Sequence, residues 1–132
     1  MSCLVKLLSL PGEIMRRVLQ KLRQRRANTG VPPVNTVAPL ARTPADPTPP
    51  IDPAPIGEYA QCYDNGMWTG DATITYSHQW QRLIDDVWTD IPGATNADFA
   101  LANLGDHRCR VRGANGAGYA YAYTNTITAI AA

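Results

Sequence analysis

Three cysteines, two histidines and a few hydroxyls and acids are the residues of this chain whose types could do chemistry. Cys3, Cys62 and Cys109 could ligate a metal, pair as a disulfide or act as nucleophiles, while His78 and His107 could ligate or carry protons. Their spacing matches no metal motif, because neither a Cys-x-x-Cys nor a His-x-x-x-His pair occurs. The only serines are Ser2, Ser9 and Ser77, and none stands in a nucleophile elbow. Asp85 and Asp86 fit a turn better than a catalytic acid–base pair, and no glycine-rich loop is present to cradle phosphate. The expectation is a protein that is not an enzyme and takes no cofactor and no metal.

The elements that carry these residues divide the chain in three. Of eleven prolines, nine fall between Val31 and Gly57, which leaves an arm over 1–30, a linker over 31–57 and a body over 58–132. Charge divides the same way. The arm has seven basic side chains against Glu13, a balance of +6; the linker has Arg42 against Asp46 and Asp52; the body has four arginines against eight acids, a balance of −4. A basic arm and an acidic body point to different partners, or to copies that attract one another. With 45% hydrophobic and 17% charged residues the chain is neither a disordered tail nor a membrane protein, and no apolar run approaches the roughly 20 residues of a membrane span. Near the start Leu4, Val5, Leu7, Leu8 and Leu10 precede the arginines, the reverse of a secretory signal, so the chain is expected to be made in a cytoplasm.

Within the arm, Pro11 suits the first turn of a helix and Glu13 the positive end of its dipole. Ile14, Met15, Val18, Leu19 and Leu22 recur at spacings of three and four, which predicts one apolar stripe. Arg16, Arg17, Lys21, Arg23, Arg25 and Arg26 form a basic rim around it. So short a helix is marginal alone in water, so the stripe must dock: on a larger protein scaffold, on its own chain or on a second copy. Without aromatic anchors, membrane and nucleic-acid partners are not favoured. The linker repeats proline too densely for regular pairing and is expected to be an extended strap, reaching about 80 Å if fully drawn out.

From Glu58 onward the sequence predicts short strands and turns. Ile74, Tyr76, His78 and Trp80 alternate with polar residues; a turn falls at Asp85-Asp86; Phe99 to Leu101 is a further strand. Arg108 to Arg112 alternates arginine with Cys109 and Val111, Asn115-Gly116 signals a turn, and Tyr119 to Ile130 makes the last strand. The fold class expected is mainly β: a small antiparallel β-sandwich behind a helical arm and a proline-rich linker, with Trp80, Tyr76 and Val111 in its core.

Cys62, Trp80 and Cys109 stand in the order and approximate spacing of the immunoglobulin fold, and the body resembles that family. Asn103-Leu-Gly105-Asp-His107-Arg-Cys109 is similar to its Asp-x-Gly-x-Tyr-x-Cys pattern, with Asn103 in place of the acid and His107 in place of the corner tyrosine. Gly66-Met-Trp68, Tyr76-Ser-His-Gln-Trp80, Ile91-Pro-Gly93-Ala94-Thr95 and Asn115-x-x-Gly118 resemble the immunoglobulin-like modules of bacterial surface proteins and tailed-bacteriophage virions. The resemblance implies that Cys62 and Cys109 face each other against Trp80. They could be bridged, at about 3–4 kcal/mol in the chain-entropy model, or packed as two free thiols. It implies a structural protein of a phage particle: a capsid decoration protein that docks by its arm on the major capsid protein, on another virion protein or on copies of itself, and displays the immunoglobulin-like domain. A tail or baseplate component is the close variant. A cell-envelope adhesion module that binds surface glycan through Tyr119, Tyr121 and Tyr123 is the alternative. The location implied is the virion, assembled in a bacterial cytoplasm.

Overall fold

The computed structural model describes Ile14, Arg16, Arg17, residues 30–43 and residues 53–132. Eleven strands follow in order: β1 (Val34–Val37), β2 (Leu40–Arg42), β3 (Ala54–Pro55), β4 (Tyr59–Asp64), β5 (Met67–Thr69), β6 (Thr75–Ile84), β7 (Val87–Asp90), β8 (Asp98–Ala100), β9 (Gly105–Asn115), β10 (Gly118–Tyr123) and β11 (Ile127–Ile130). A six-stranded sheet has the order β3-β11-β9-β6-β7, with β10 also paired to β9; a second sheet is β2-β4-β8; β1 and β5 form a third, two-stranded one. The architecture is mainly β and sandwich-like. All pairings are antiparallel except that of β3 with β11.

The frame of the larger sheet is the long pair β6 and β9, in register from Thr75 opposite Ala114 to Arg82 opposite His107. Period-two alternation gives each strand one inward face. Trp80, Cys109, Val111 and Ile127 from the larger sheet meet Ala41, Ala60 and Cys62 from the smaller one, with Leu101 beside them, all buried. Small residues on the smaller sheet leave room for the indole. Trp80 stacks at 5.6 Å on Phe99 and donates its ring N–H to the Asn96 carbonyl at 3.0 Å, so its one polar atom is satisfied in the core.

Several expectations need correction. Sheet structure begins inside the segment read as a linker, since residues 34–37, 40–42 and 54–55 are strands. Pro32, Pro33 and Pro39 flank β1 and β2 without interrupting them, and Pro39 is fully buried. Pro55 lies on β3, the edge strand of its sheet, where a missing N–H is tolerated. Tyr76, expected in the core, is 40% exposed. It shares the inward face of β6 with Trp80, but at that end its neighbour is Trp68 of β5, with ring centres 5.9 Å apart. Trp68 lies against Gly113 so closely that a β-carbon there would come within 2.9 Å of the ring. The last strand is also two, β10 and β11, both along the same edge of β9. Between them Asn125 turns aside: its amide oxygen accepts from the Ala41 N–H at 2.8 Å and its amide nitrogen donates to the Ala41 carbonyl at 3.0 Å. One side chain thereby continues the pairing of β2 and ties the two sheets together.

The turns follow their chemistry. Asp85 and Asp86 both have positive φ, 50° and 63°, in the two-residue loop that joins Ile84 to Val87. At Asn115 the turn is made by the side chain, whose oxygen accepts from the N–H groups of Ala117 and Gly118. Its amide nitrogen donates to the carbonyls of Val31 and Asp71, fastening the chain just ahead of β1 to the hairpin end.

Ile14, Arg16 and Arg17 have helical backbone and are exposed. Cys3 and the rest of the expected docking helix and basic rim (Met15, Val18, Leu19, Leu22, Lys21, Arg23, Arg25 and Arg26) lie outside the described residues.

Candidate functional site

Two groups of side chains with chemical potential lie on opposite faces of the larger sheet. The buried group is the thiol pair. Cys62 and Cys109 are unbridged and buried in the core that the two sheets share. The Cys62 thiol donates weakly to the Asp64 carbonyl and the Cys109 thiol to the Arg110 carbonyl, each at 3.7 Å, while the neighbouring Cys109 and His78 pull Cys62 below its ordinary value against the opposing cost of burial. The neighbouring Cys62 and burial both push Cys109 up. His78 is itself held by Asn65, with Nε2 2.8 Å from Oδ1.

A cysteine, a histidine and an asparagine in contact are the parts of an activated thiol nucleophile. Access decides against that use. Cys62 is 5% exposed, and it is not among the residues that line the cavity reaching His78. In the structure the two thiols serve as packing in the shared core.

His107, in the corner position, is completely buried near the start of β9 with its ring 6.0 Å from Phe99. Nδ1 lies 2.9 Å from the Gly105 carbonyl, so that nitrogen carries the proton and donates. Nε2 is buried with no partner among the described residues. Burial first, and the nearby Arg82 charge after it, push this imidazole below its ordinary value, so it is held neutral.

The second group is exposed. On β9 the residues between the buried ones are Arg108, Arg110 and Arg112; on β10 the outward residues are Tyr119, Tyr121 and Tyr123. The hairpin register sets Arg112 opposite Tyr121 and Arg110 opposite Tyr123. Each guanidinium then lies over the ring diagonal to it: Arg112 on Tyr119 at 4.4 Å, Arg110 on Tyr121 at 4.7 Å and Arg108 on Tyr123 at 4.0 Å. Trp88 of β7 covers Arg108 from the other side at 4.3 Å. Three stacked cation–π pairs make a ladder across the sheet face.

Polar contacts fix its lower end. Arg108 donates through Nε to Gln81 at 2.9 Å, Gln81 donates to Asp90 at 2.8 Å, and Asp90 faces Arg110 at 3.4 Å. Burial and the charge of Arg110 lower Arg108 against the opposing pull of Tyr123, but a guanidinium stays charged. Among the described residues the ladder holds three positive charges, with Asp90 against Arg110 and Asp106 next along the outward face of β9. No protein-family model, curated protein or solved structure matches the chain. The site's geometry is an exposed row of aromatic rings with guanidinium groups stacked on them.

Of the residues read from the sequence, the structure brings Cys62, Cys109 and Trp80 together and buries Val111 with them. It brings the arginine alternation and the tyrosine alternation into one ladder, a pairing the sequence reading did not make. The signal was present. A tight turn after Asn115 pairs positions symmetrically about it, which puts Arg112 opposite Tyr121.

Proposed function

We propose that this protein is a non-enzymatic display module, an immunoglobulin-like domain carried by a structural protein of a bacteriophage particle. The observation that supports the immunoglobulin-like assignment is the pairing pattern around the cysteines. Cys62 on β4, in a sheet with β2 and β8, faces Trp80 on β6 and Cys109 on β9 in the opposite sheet. The early strand β2 joins the β4 sheet, and after residues 44–52 β3 joins the other sheet parallel to the last strand, a crossing of sheets typical of such domains. The virion assignment rests on the sequence resemblance. In this reading the protein decorates the capsid, and the arm stripe of Ile14, Met15, Val18, Leu19 and Leu22 docks on the major capsid protein, with the arginines as its steering rim.

Reconstitution on particles lacking the protein tests this, scored by mass per particle. Val18→Asp with Leu19→Asp should abolish incorporation and leave the sandwich folded. Arg23, Arg25 and Arg26 changed to Gln should slow binding and flatten its salt dependence. Full occupancy by the double-Asp variant would show that the arm is not the anchor.

The second reading, glycan adhesion, is favoured by one observation: Tyr119, Tyr121 and Tyr123 are all exposed, at 56%, 44% and 41%, on one outer face. Display and adhesion are compatible, since a decorating domain presents its outer face to the surroundings.

A further inference from the structure

A shallow cavity of about 280 Å³ opens on the ladder face. It is lined by Ser77, His78 and Gln79 of β6 and Arg110 and Arg112 of β9, with Thr95 on the β6 side and Tyr121 on the β10 side. Thr95 is brought there by the segment after β7, which continues alongside β6 through Ile91 N–H to the Trp80 carbonyl at 3.0 Å and Trp80 N–H to the Ala94 carbonyl at 2.8 Å. Gln79 locks this wall by donating to the Ile91 carbonyl at 2.8 Å. The cavity is therefore walled by main-chain pairing and is not an accident of side-chain placement.

Its charge is unbalanced. Arg110 has Asp90 at 3.4 Å, a half-exposed and weakly held partner, while Arg112 has no carboxylate partner among the described residues. Stacking on Tyr119 and Tyr121 occupies the flat faces of the two guanidinium groups and leaves their in-plane N–H donors at the edges. The hydroxyls of Ser77 and Thr95 have no side-chain hydrogen bond among the described residues. The site thus offers an anion fork, two hydroxyls and an aromatic wall within the volume of one small ring.

We propose that this cavity binds a carboxylate-bearing sugar unit of a surface polysaccharide. The carboxylate pairs with the edges of Arg110 and Arg112, sugar hydroxyls meet Ser77 and Thr95, and the C–H face of the ring packs on Tyr121. A neutral sugar would leave the guanidinium fork unused. A nucleic acid would bring a row of phosphates over a body whose net charge is −4, with Asp90 and Asp106 beside the ladder and Asp85-Asp86 at the far turn of β6. A single carboxylate on an otherwise polar, uncharged ring avoids that repulsion. The proposal rests on the adhesion reading of the ladder face and adds to it the chemical class of the ligand.

The test is titration of the full-length protein, by calorimetry and by chemical-shift mapping, with an oligogalacturonate, a hyaluronan oligosaccharide and sialyllactose. Each is paired with its neutral methyl ester, and an oligothymidylate of similar length is run beside them. At least one acid should bind, its ester roughly tenfold or more weaker, with shifts centred on Ser77, Thr95 and Arg112. Arg112→Gln should lose roughly tenfold and Arg112→Lys should lose less, because lysine keeps the charge but not the fork. Asp90→Asn should tighten binding several-fold by releasing Arg110, a gain that damaged folding cannot mimic. Equal binding of acid and ester, binding of the oligothymidylate alone, or no binding of any acid would overturn the proposal. Particle incorporation separates it from the display reading. A wild-type chain that decorates particles but binds no acid sinks only the ligand, and one that binds an acid but joins no particle sinks only the display role.

Discussion

The two faces of β9 are drawn from one strand, and they hold the molecule by different physics. Inward, His107, Cys109, Val111 and Gly113 are buried and matched to their neighbours in volume; at Gly113 there is no space for even a methyl group beside Trp68. Outward, Arg108, Arg110 and Arg112 lie on tyrosine rings that remain half open to water. The inner face draws on burial and close packing, which are worth several kcal/mol per large side chain. The outer face draws on cation–π contacts worth about 0.5–1 kcal/mol each when exposed. A face that costs little to alter and presents so many donors is where recognition can reside without endangering the fold.

The sharpest way to break that contrast is to truncate one residue from each face. Trp80→Ala should cost about 3–5 kcal/mol in urea unfolding, a large share of a small domain's stability. Arg112→Ala and Tyr121→Ala should each cost less than about 1 kcal/mol. Comparable losses on the two faces would make the ladder a structural element and remove its claim to be a binding surface.

The inner face can also be tightened. If an oxidant joins Cys62 to Cys109, the bridged domain should gain about 3–4 kcal/mol over the reduced one in the chain-entropy model. Thiol counting on denatured protein before and after air exposure reads the change directly, and three free thiols after prolonged exposure would leave the pair a packing role alone. Replacing both by alanine should cost about 2–5 kcal/mol against the reduced form.

Overfilling comes next in size. Gly113→Ala places a β-carbon about where the Trp68 ring lies, so it should destabilise by roughly 1–3 kcal/mol and shift the Trp68 fluorescence. The same change at Gly116, where nothing lies within reach of a β-carbon, should be close to neutral.

The smallest expected effect is a pH dependence. His107 is held neutral below its ordinary value, so the unfolded chain takes up a proton before the folded one does. Its contribution is fully present above the unfolded value near 6.5 and is lost as pH falls towards the depressed folded value. The melting temperature should therefore decline on acidification from neutrality, and His107→Phe should flatten that decline. An unchanged slope in the variant would assign the acid sensitivity to other groups.

Much of this was legible beforehand. Alternation through Tyr76, His78 and Trp80, and again through Arg108 to Arg112, marks two strands with one buried face each, because the side-chain period in a strand is two. Asp85-Asp86 and Asn115-Gly116 mark the turns, because those residues tolerate the required backbone or bond to it. Cys62, Trp80 and Cys109 mark the shared core. The alternations and the turns are local properties, written in neighbouring residues, whereas Cys62, Trp80 and Cys109 are placed together in advance only by the resemblance to the immunoglobulin fold.

What the chain alone left open depends on contacts between distant residues. Pro39 and Ala41 are buried and β2 is a strand because β4 lies beside them and Asn125, 84 positions away, completes the pairing. Tyr76 is exposed because the second sheet stops short of it, although its alternation is the same as that of Trp80. The arginines and tyrosines become one ladder through a register that a slip of a single residue would have turned inside out. The cavity beside them exists because the segment carrying Thr95 runs along β6 after β7 has ended. Periodicity assigns a side chain to a face, but whether that face meets a sheet, a ring or water is decided by the strands that assemble around it.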